Sequence, residues 1–264
     1  MSGVTGSNGT STTDGTVRGV LFDIDDTLVD TARAFAAGLA EAFGTLTELT
    51  PQAQADVVRI WRADAGGHYR RYVAGEVGIV EQRRARVLEI TRHLGLDDLD
   101  DDGFAAWDDD YRAAFAASWA LFDDAHACVA AAVDAGLAVG AVTNAPGEMQ
   151  RAKIAAVGLA DVLGSLVAVD TLGVGKPDPR VFHEGCRLIG TEPSATVYVG
   201  DELDVDALAA VEAGLRGVWL DRPGRRRGGP HAVSDERLAE ARAAGVAVIA
   251  SLRELPQVWG SART

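Results

Sequence analysis

The chain has 264 residues, enough for one large domain or a domain carrying a sizeable insertion. At 47% hydrophobic and 24% charged residues its composition is that of a folded globular protein, which excludes a largely disordered or fibrous chain. Lys and Arg number 25 against 39 Asp and Glu, and the net charge of -14 repels nucleic-acid backbones and anionic lipid.

In chain order, Met1 to Thr16 is rich in Gly, Ser and Thr, with neither the basic start nor the apolar middle of a signal peptide, and is expected to be a disordered tail. Val17 to Phe22 is a nearly all-apolar run ending in Asp23, Asp25 and Asp26, which predicts a central strand of a parallel sheet with carboxylates at its carboxyl end. Helical periodicity then takes over, over Ala32 to Phe43, Gln52 to Arg62, Glu81 to His93 and Phe104 to Phe115, with no convincing strand. From Asp124 helices and short apolar strands alternate: helix to Ala135, strand Ala138 to Val142, helix Glu148 to Val157, strand Leu166 to Val169. Helix Pro179 to Ile189, strand Thr196 to Val199, helix Asp206 to Ala213, and strands Gly217 to Leu220 and Val246 to Ile249 complete the series.

This pattern predicts an α/β fold, a doubly wound Rossmann-like parallel sheet formed by residues 17–31 and 120–264, with residues 32–119 inserted as an α-helical cap. No apolar run approaches the ~18 residues of a membrane span, since Asp134 interrupts the segment Cys128 to Val142. The two cysteines, Cys128 and Cys186, fall in helical stretches without metal or redox spacing and are expected to be reduced and structural in a cytoplasmic protein.

Ligands of open α/β sheets bind beyond the carboxyl ends of the strands. Four such ends are polar: Asp23-Ile24-Asp25-Asp26-Thr27, Thr143-Asn144, Gly175-Lys176-Pro177, and Gly200-Asp201 with Asp206 close behind. Together they offer carboxylates, a hydroxyl and an ammonium, the groups needed to bind a divalent cation and a phosphate in one site. An aspartate can attack phosphorus only if the repulsion between two anions is cancelled, which Mg2+ and a lysine accomplish together.

In these motifs and their order the sequence resembles the haloacid dehalogenase superfamily, with its Asp-x-Asp-x-Thr start and a fourth motif similar to Gly-Asp-x-x-x-x-Asp; the helical insert sits where that superfamily carries a cap. The resemblance implies that Asp23 is the nucleophile and Asp25 the general acid and base. It implies that Thr143, Asn144 and Lys176 hold the phosphoryl group of a small phosphorylated substrate. The expected Mg2+ ligands are Asp23, Asp25 and Asp201, with Asp206 in support. An aspartate at position 25 favours phosphoryl transfer over dehalogenation, because a departing halide needs no proton. A phosphomutase uses similar core residues but must exclude water, and nothing in the sequence marks that. A phosphorylation-switched receiver module carries its acceptor Asp after a middle strand, not after the first, so motif order argues against it.

Several charged positions read as solvated surface. Only two lysines occur, and Lys153, in a predicted helix, is read as an ordinary helix charge beside the loop lysine Lys176. His68, Tyr69, Arg70, Arg71 and Tyr72, and likewise Arg83, Arg84 and Arg86, are read as helix faces turned to water. The same reading covers the arginine-rich patch Arg225 to Gly229 and the carboxylate of Asp204. The Asp clusters at 97–102 and 108–110 lack the spacing of a calcium loop, and His93, His126, His183 and His231 have no zinc-like spacing.

Overall fold

The computed structural model describes residues 16–226 and 232–260. The expected tail, apart from Thr16, and Arg227 to Gly229 of the arginine-rich patch lie outside them. The first strand, β1 (Gly19–Phe22), is buried along its whole length, which is why it carries no polar residue. Five helices follow before the next strand joins it: α1 (Thr31–Gly44), α2 (Pro51–Ala63), α3 (His68–Val73), α4 (Ile79–Leu94) and α5 (Asp101–Ala117). Their starts are set by local chemistry. Asp30, Thr50 and Asp100 each accept a backbone N–H of the first turn of α1, α2 and α5, and Pro51 occupies the first turn of α2, where its missing N–H costs nothing.

The helical block has a core of its own. Phe104, Trp107, Tyr111 and Phe115 recur every three or four residues along α5 and form one buried stripe. The rings of Trp107 and Tyr111 stack at 5.2 Å and those of Tyr111 and Phe115 at 5.7 Å, against Phe43 of α1 and Trp61 of α2. Each buried ring is worth roughly 1.5–3 kcal/mol relative to exposure. Two adjacent backbone segments join the block to the sheet: Asp30 N–H donates to the Ala120 carbonyl and Phe122 N–H to the Leu28 carbonyl, both at 2.9 Å.

After α6 (Ala125–Asp134) the chain runs through β2 (Ala138–Val142), α7 (Gly147–Ala156), β3 (Leu166–Val167), α8 (Val169–Leu172), α9 (Pro179–Ile189) and β4 (Thr196–Gly200). It continues through α10 (Ala209–Glu212), β5 (Arg216–Leu220), α11 (Asp235–Ala243), β6 (Ala247–Ile249) and α12 (Leu255–Gly260). The six strands form one parallel sheet in the order β3-β2-β1-β4-β5-β6, an α/β fold with β1 at its middle. Strand order reverses between β1 and β4, and at such a switch point the loops leave in opposite directions and open a crevice. In register, Phe22 faces Ala141 on one side and Val199 on the other, so the polar residues that follow all three strands emerge together.

Three local differences from the sequence reading have physical causes. The strand expected at Leu166 to Val169 ends at Val167, because α8 begins at Val169. The helix expected from Asp206 is preceded by a wide π turn, Leu203–Leu208, and the Asp206 carboxylate accepts the Glu202 N–H at 2.9 Å at its start. The helix α11 has no sequence signature, because Ala241 is its one buried residue and leaves no apolar period. Both cysteines are free and buried, Cys128 in α6 and Cys186 in α9. Among the described residues no helix is long and apolar enough to cross a membrane.

Candidate active site

Asp23 leaves the end of β1 with its N–H bonded to the Val199 carbonyl at 2.9 Å, which fixes its backbone between two strands. Lys176 meets its carboxylate from the opposite wall: Nζ lies 2.6 Å from Asp23 Oδ1, 2.7 Å from Asp206 Oδ1 and 2.8 Å from the Tyr198 hydroxyl. All four side chains are buried. Burial opposes the charge of Lys176, but the carboxylates of Asp206 and Asp23 outweigh it and hold the ammonium well above its ordinary range. Burial, aided by the charges of Asp206 and Asp25, pushes Asp23 up to about 7 even though Lys176 pulls the other way.

The loop bearing Lys176 is held by Asn144. Lys176 N–H donates to Asn144 Oδ1 at 2.6 Å, and Asn144 Nδ2 donates to the Lys176 carbonyl at 2.9 Å, across a loop with a cis Lys176-Pro177 peptide. A Cβ at Gly175 would stand 2.4 Å from Asn144 Oδ1, so no larger residue fits before the lysine. Asn144, expected at the phosphate, thus has its amide engaged in shaping the lysine loop. Thr143 is buried, with its hydroxyl oxygen accepting from Gln150 Nε2 at 3.0 Å and Ala145 N–H at 3.3 Å, which leaves its own proton to donate toward the cavity.

Asp23, Asp201 and Asp206 each offer a carboxylate oxygen within 4.8 Å of the others. A Cβ at Gly200 would fall 2.3 Å from the Asp206 carboxyl, so the glycine lets Asp206 reach this cluster. Burial, then the charges of Asp26, Glu202, Asp23 and Asp206, hold the Asp201 carboxyl well above the usual carboxylate range. Three hard oxygen donors with an excess of negative charge fit a small divalent cation such as Mg2+. The expected ligand set had Asp25 among the carboxylates and Asp206 behind them. The acidic cluster groups Asp206 with Asp23 and Asp201, whereas the Asp25 side chain faces α7.

The Asp25 carboxylate accepts from Thr31 Oγ1 at 2.6 Å, from Gln150 Nε2 and from Lys153 Nζ. Lys153 is 0% exposed, with its ammonium 5.5 Å from the ring centre of Phe115 and 5.8 Å from that of Trp119. Burial on its own would raise Asp25, but the ammonium and the hydrogen bonds hold it below its ordinary value. The reading of Lys153 as a solvated helix charge is therefore overturned. Gln150, Lys153 and Ile154 form the inner face of α7, and a polar pair at that spacing looks like an outward face to any hydropathy pattern.

A cavity of ≈ 690 Å³ separates these groups from the helical block; Asp23, Thr143 and Lys176 line one side, Phe35, Tyr69 and Val73 the other. Two residues read as solvated prove to be structural here. The Tyr69 hydroxyl donates to the Asn144 carbonyl at 2.9 Å, while Arg86 is buried over the Trp61 ring at 3.8 Å and donates to the Trp61 carbonyl. Asp64, at the end of α2, orients this wall by accepting the Tyr69 N–H at 3.0 Å. His68 pairs with Glu89, and Arg83, read as turned to water, is largely buried in a pair with Asp108; Arg84 is half-buried over the Phe104 ring, whereas Arg71 is exposed as expected. In the arginine-rich patch Arg225 is not simply solvated: it makes two hydrogen bonds of 2.8 Å to Asp30, the cap of α1. Asp204 is exposed in a pair with Arg237.

A model of the haloacid dehalogenase-like hydrolases matches residues 17–214. The phosphoserine phosphatase of Thermus thermophilus is 37% identical over 122 residues, 46% of this chain, and the chain spans 49% of that relative's length. The N-acetylmuramic acid 6-phosphate phosphatase of Pseudomonas aeruginosa is 30% identical over 193 residues, covering 71% of this chain and 74% of that one. The magnesium-bound HAD-hydrolase YfnB of Bacillus subtilis shares the fold, with a TM-score of 0.71 at 22% identity over 93% of this chain and 100% of its own. With the family match running from β1 through α10, and the polar ends of β1, β2 and β4 and the Lys176 loop converging on one cavity, the chain belongs to the haloacid dehalogenase-like hydrolases.

Proposed function

We propose that this hydrolase is a Mg2+-dependent phosphatase that cleaves a small phosphomonoester through an aspartyl-phosphate on Asp23. The observation that carries the reading is the bridging of Asp23 and Asp206 by Lys176 on a cavity that Asp25 also lines, so a nucleophile, a cation and a proton carrier face one space. The phosphatase activity of the relatives supports it. Held by Asp23, Asp201 and Asp206, Mg2+ would supply positive charge that keeps Asp23 ionised and screens the phosphoryl oxygens.

The Asp23 carboxylate attacks phosphorus, the P–O bond to the leaving group breaks, and protonated Asp25 gives its proton to the departing alkoxide. Lys176 and the Thr143 hydroxyl hold the phosphoryl oxygens during transfer. Water then attacks the aspartyl-phosphate while Asp25, now a carboxylate, takes its proton; inorganic phosphate leaves and both aspartates return to their starting states. In the free protein Lys153 favours the anionic form of Asp25, and an incoming phosphate dianion opposes that field and raises the proton affinity of the carboxylate. The helical block, closing the far wall with Phe35, Tyr69 and Val73, acts as the cap that selects the leaving group.

The test is a screen of purified protein against a panel of phosphorylated metabolites and 2-haloacids, each with Mg2+ and with EDTA. Phosphate release that requires Mg2+ is expected. Full turnover in EDTA removes the metal from the proposal, and halide release without phosphate release replaces the phosphatase by a dehalogenase.

A further inference from the structure

The reaction above leaves Lys153 without a task, yet it is an ammonium at 0% exposure that donates to Asp25. Taking a charge out of water is expensive, and a buried ion pair is often no more stabilising than an apolar pair of the same volume. The slot beside Phe115 and Trp119 would suit an apolar side chain. What the ammonium adds is geometry. Lys153 and Thr31 fix Asp25 Oδ1, and Gln150 Nε2 fixes Oδ2 while also reaching the Thr143 hydroxyl at 3.0 Å. The orientation of the Asp25 carboxyl group is thereby set from α7 and tied to a residue proposed to hold the phosphoryl group. The Gln150 carbonyl oxygen is buried with no hydrogen-bond partner among the described residues, so the donor end of the amide alone orients it.

We infer that Lys153 and Gln150 are positioning residues that aim the Asp25 carboxyl at the leaving-group oxygen and at the attacking water. This inference rests on the phosphatase reading. Proton transfer needs hydrogen-bond reach in both half-reactions, and a positioned acid or base contributes typically 10²- to 10⁴-fold. Loss of the positioning residues must therefore follow the need for a proton, substrate by substrate.

The experiment compares wild type, Lys153→Met and Gln150→Leu by rapid quench on p-nitrophenyl phosphate, whose leaving group departs without protonation, and on an alkyl phosphomonoester. On p-nitrophenyl phosphate Lys153→Met should form the aspartyl-phosphate within a few-fold of the wild-type rate, giving a burst that approaches one p-nitrophenolate per site, followed by turnover about 10²-fold slower. On the alkyl ester, formation of the phosphoenzyme should itself slow by about 10²-fold, with KM changed only a few-fold. Gln150→Leu should show the same pattern at about tenfold, and it decides the matter if Lys153→Met does not fold. Equal loss of burst and turnover on both substrates, or turnover within threefold of wild type, overturns the inference. Failure of wild type to form a hydroxylamine-sensitive phosphoenzyme overturns the phosphatase reading instead, so the two failures are distinct.

Discussion

At the end of β1 two carboxylates, separated by Ile24 alone, each receive one of the protein's two lysines, and the two sites are built on opposite plans. Lys176 rides on a loop braced by Asn144 and divides its charge between Asp23 and Asp206, with Asp201 close by. Lys153 projects from the regular helix α7 into an aromatic slot and pairs with Asp25. Burial, together with more than one carboxylate per ammonium, pushes Asp23 up to about 7, whereas at Asp25 the matched ammonium and the hydrogen bonds outweigh burial and hold it below its ordinary value. The difference teaches where each kind of chemistry belongs. The side with surplus negative charge can take up a cation and present a nucleophile. The balanced side fixes one carboxyl group in place and lets it exchange a proton.

The largest effect that sharpens this comparison comes from removing one carboxylate at a time. Asp23→Asn replaces the proposed nucleophilic carboxylate with an amide, a poor nucleophile, so turnover should fall by at least about 10³-fold on every substrate, with no phosphoenzyme trapped. Asp25→Asn should instead spare phosphoenzyme formation from p-nitrophenyl phosphate while slowing its hydrolysis. Identical losses at every step in the two variants would merge the two sides and break the comparison. Steady-state and rapid-quench assays, with mass spectrometry to exclude deamidation, provide the measurement.

Lys176→Met acts on the crowded side alone. It leaves Asp23 and Asp206 buried without their ammonium, and breaking a buried pair of this kind typically costs about 3–5 kcal/mol. Turnover should fall by about 10²-fold or more, since the phosphoryl oxygens lose a charge-assisted donor. Melting of the metal-free variant should drop, and added Mg2+ should recover part of the loss by meeting the same carboxylates. A metal-free melting temperature equal to wild type would show that Lys176 is not the main counter-charge there.

How much of this was legible in the sequence depends on which residues announce themselves. The apolar run Val17 to Phe22 ending at Asp23 reads as a central strand because both faces of β1 are buried, and the order and spacing of the motifs point to Thr143 and Asp201, which the register of β2 and β4 brings beside Asp23. The loop lysine Lys176 was legible because lysine is scarce in this chain and this one falls in a loop rather than a helix. Lys153 was not: i, i+3 polar residues on α7 have the same period facing in or facing out, and Gln150 and Lys153 face in only because Asp25 and Thr143 wait there. Residues 68–72 read as a helix face turned to water, but nothing in that polar and aromatic run signals the contact of Tyr69 to Asn144, which joins segments 75 residues apart. Such contacts join distant segments and leave no local signal.

The smallest effect tests the surplus of charge directly, without catalysis. The Asp201 carboxyl is held well above its ordinary value by burial and by the carboxylates around it. A group raised in this way favours the folded state below the unfolded carboxyl value near 3.8, and that contribution is lost as pH rises from there toward its folded value. Near neutrality the Asp201 charge therefore works against folding. Asp201→Asn removes the charge and keeps the shape, so the metal-free variant should melt at or above the wild-type temperature at pH 7, and the two should converge near pH 4. A cation that binds only the folded state stabilises it by RT ln(1 + [L]/Kd), which is about 2.7 kcal/mol at a hundredfold excess over Kd. That Mg2+-induced rise should be large in wild type and smaller in Asp201→Asn, in which a neutral amide replaces one of three carboxylates. A parallel Lys153→Met protein, altered on the balanced side, should keep the full Mg2+ shift. Thermal melts across a Mg2+ titration at pH 7 and pH 4 read all of this, and an undiminished shift in Asp201→Asn would place the cation away from the carboxylate cluster.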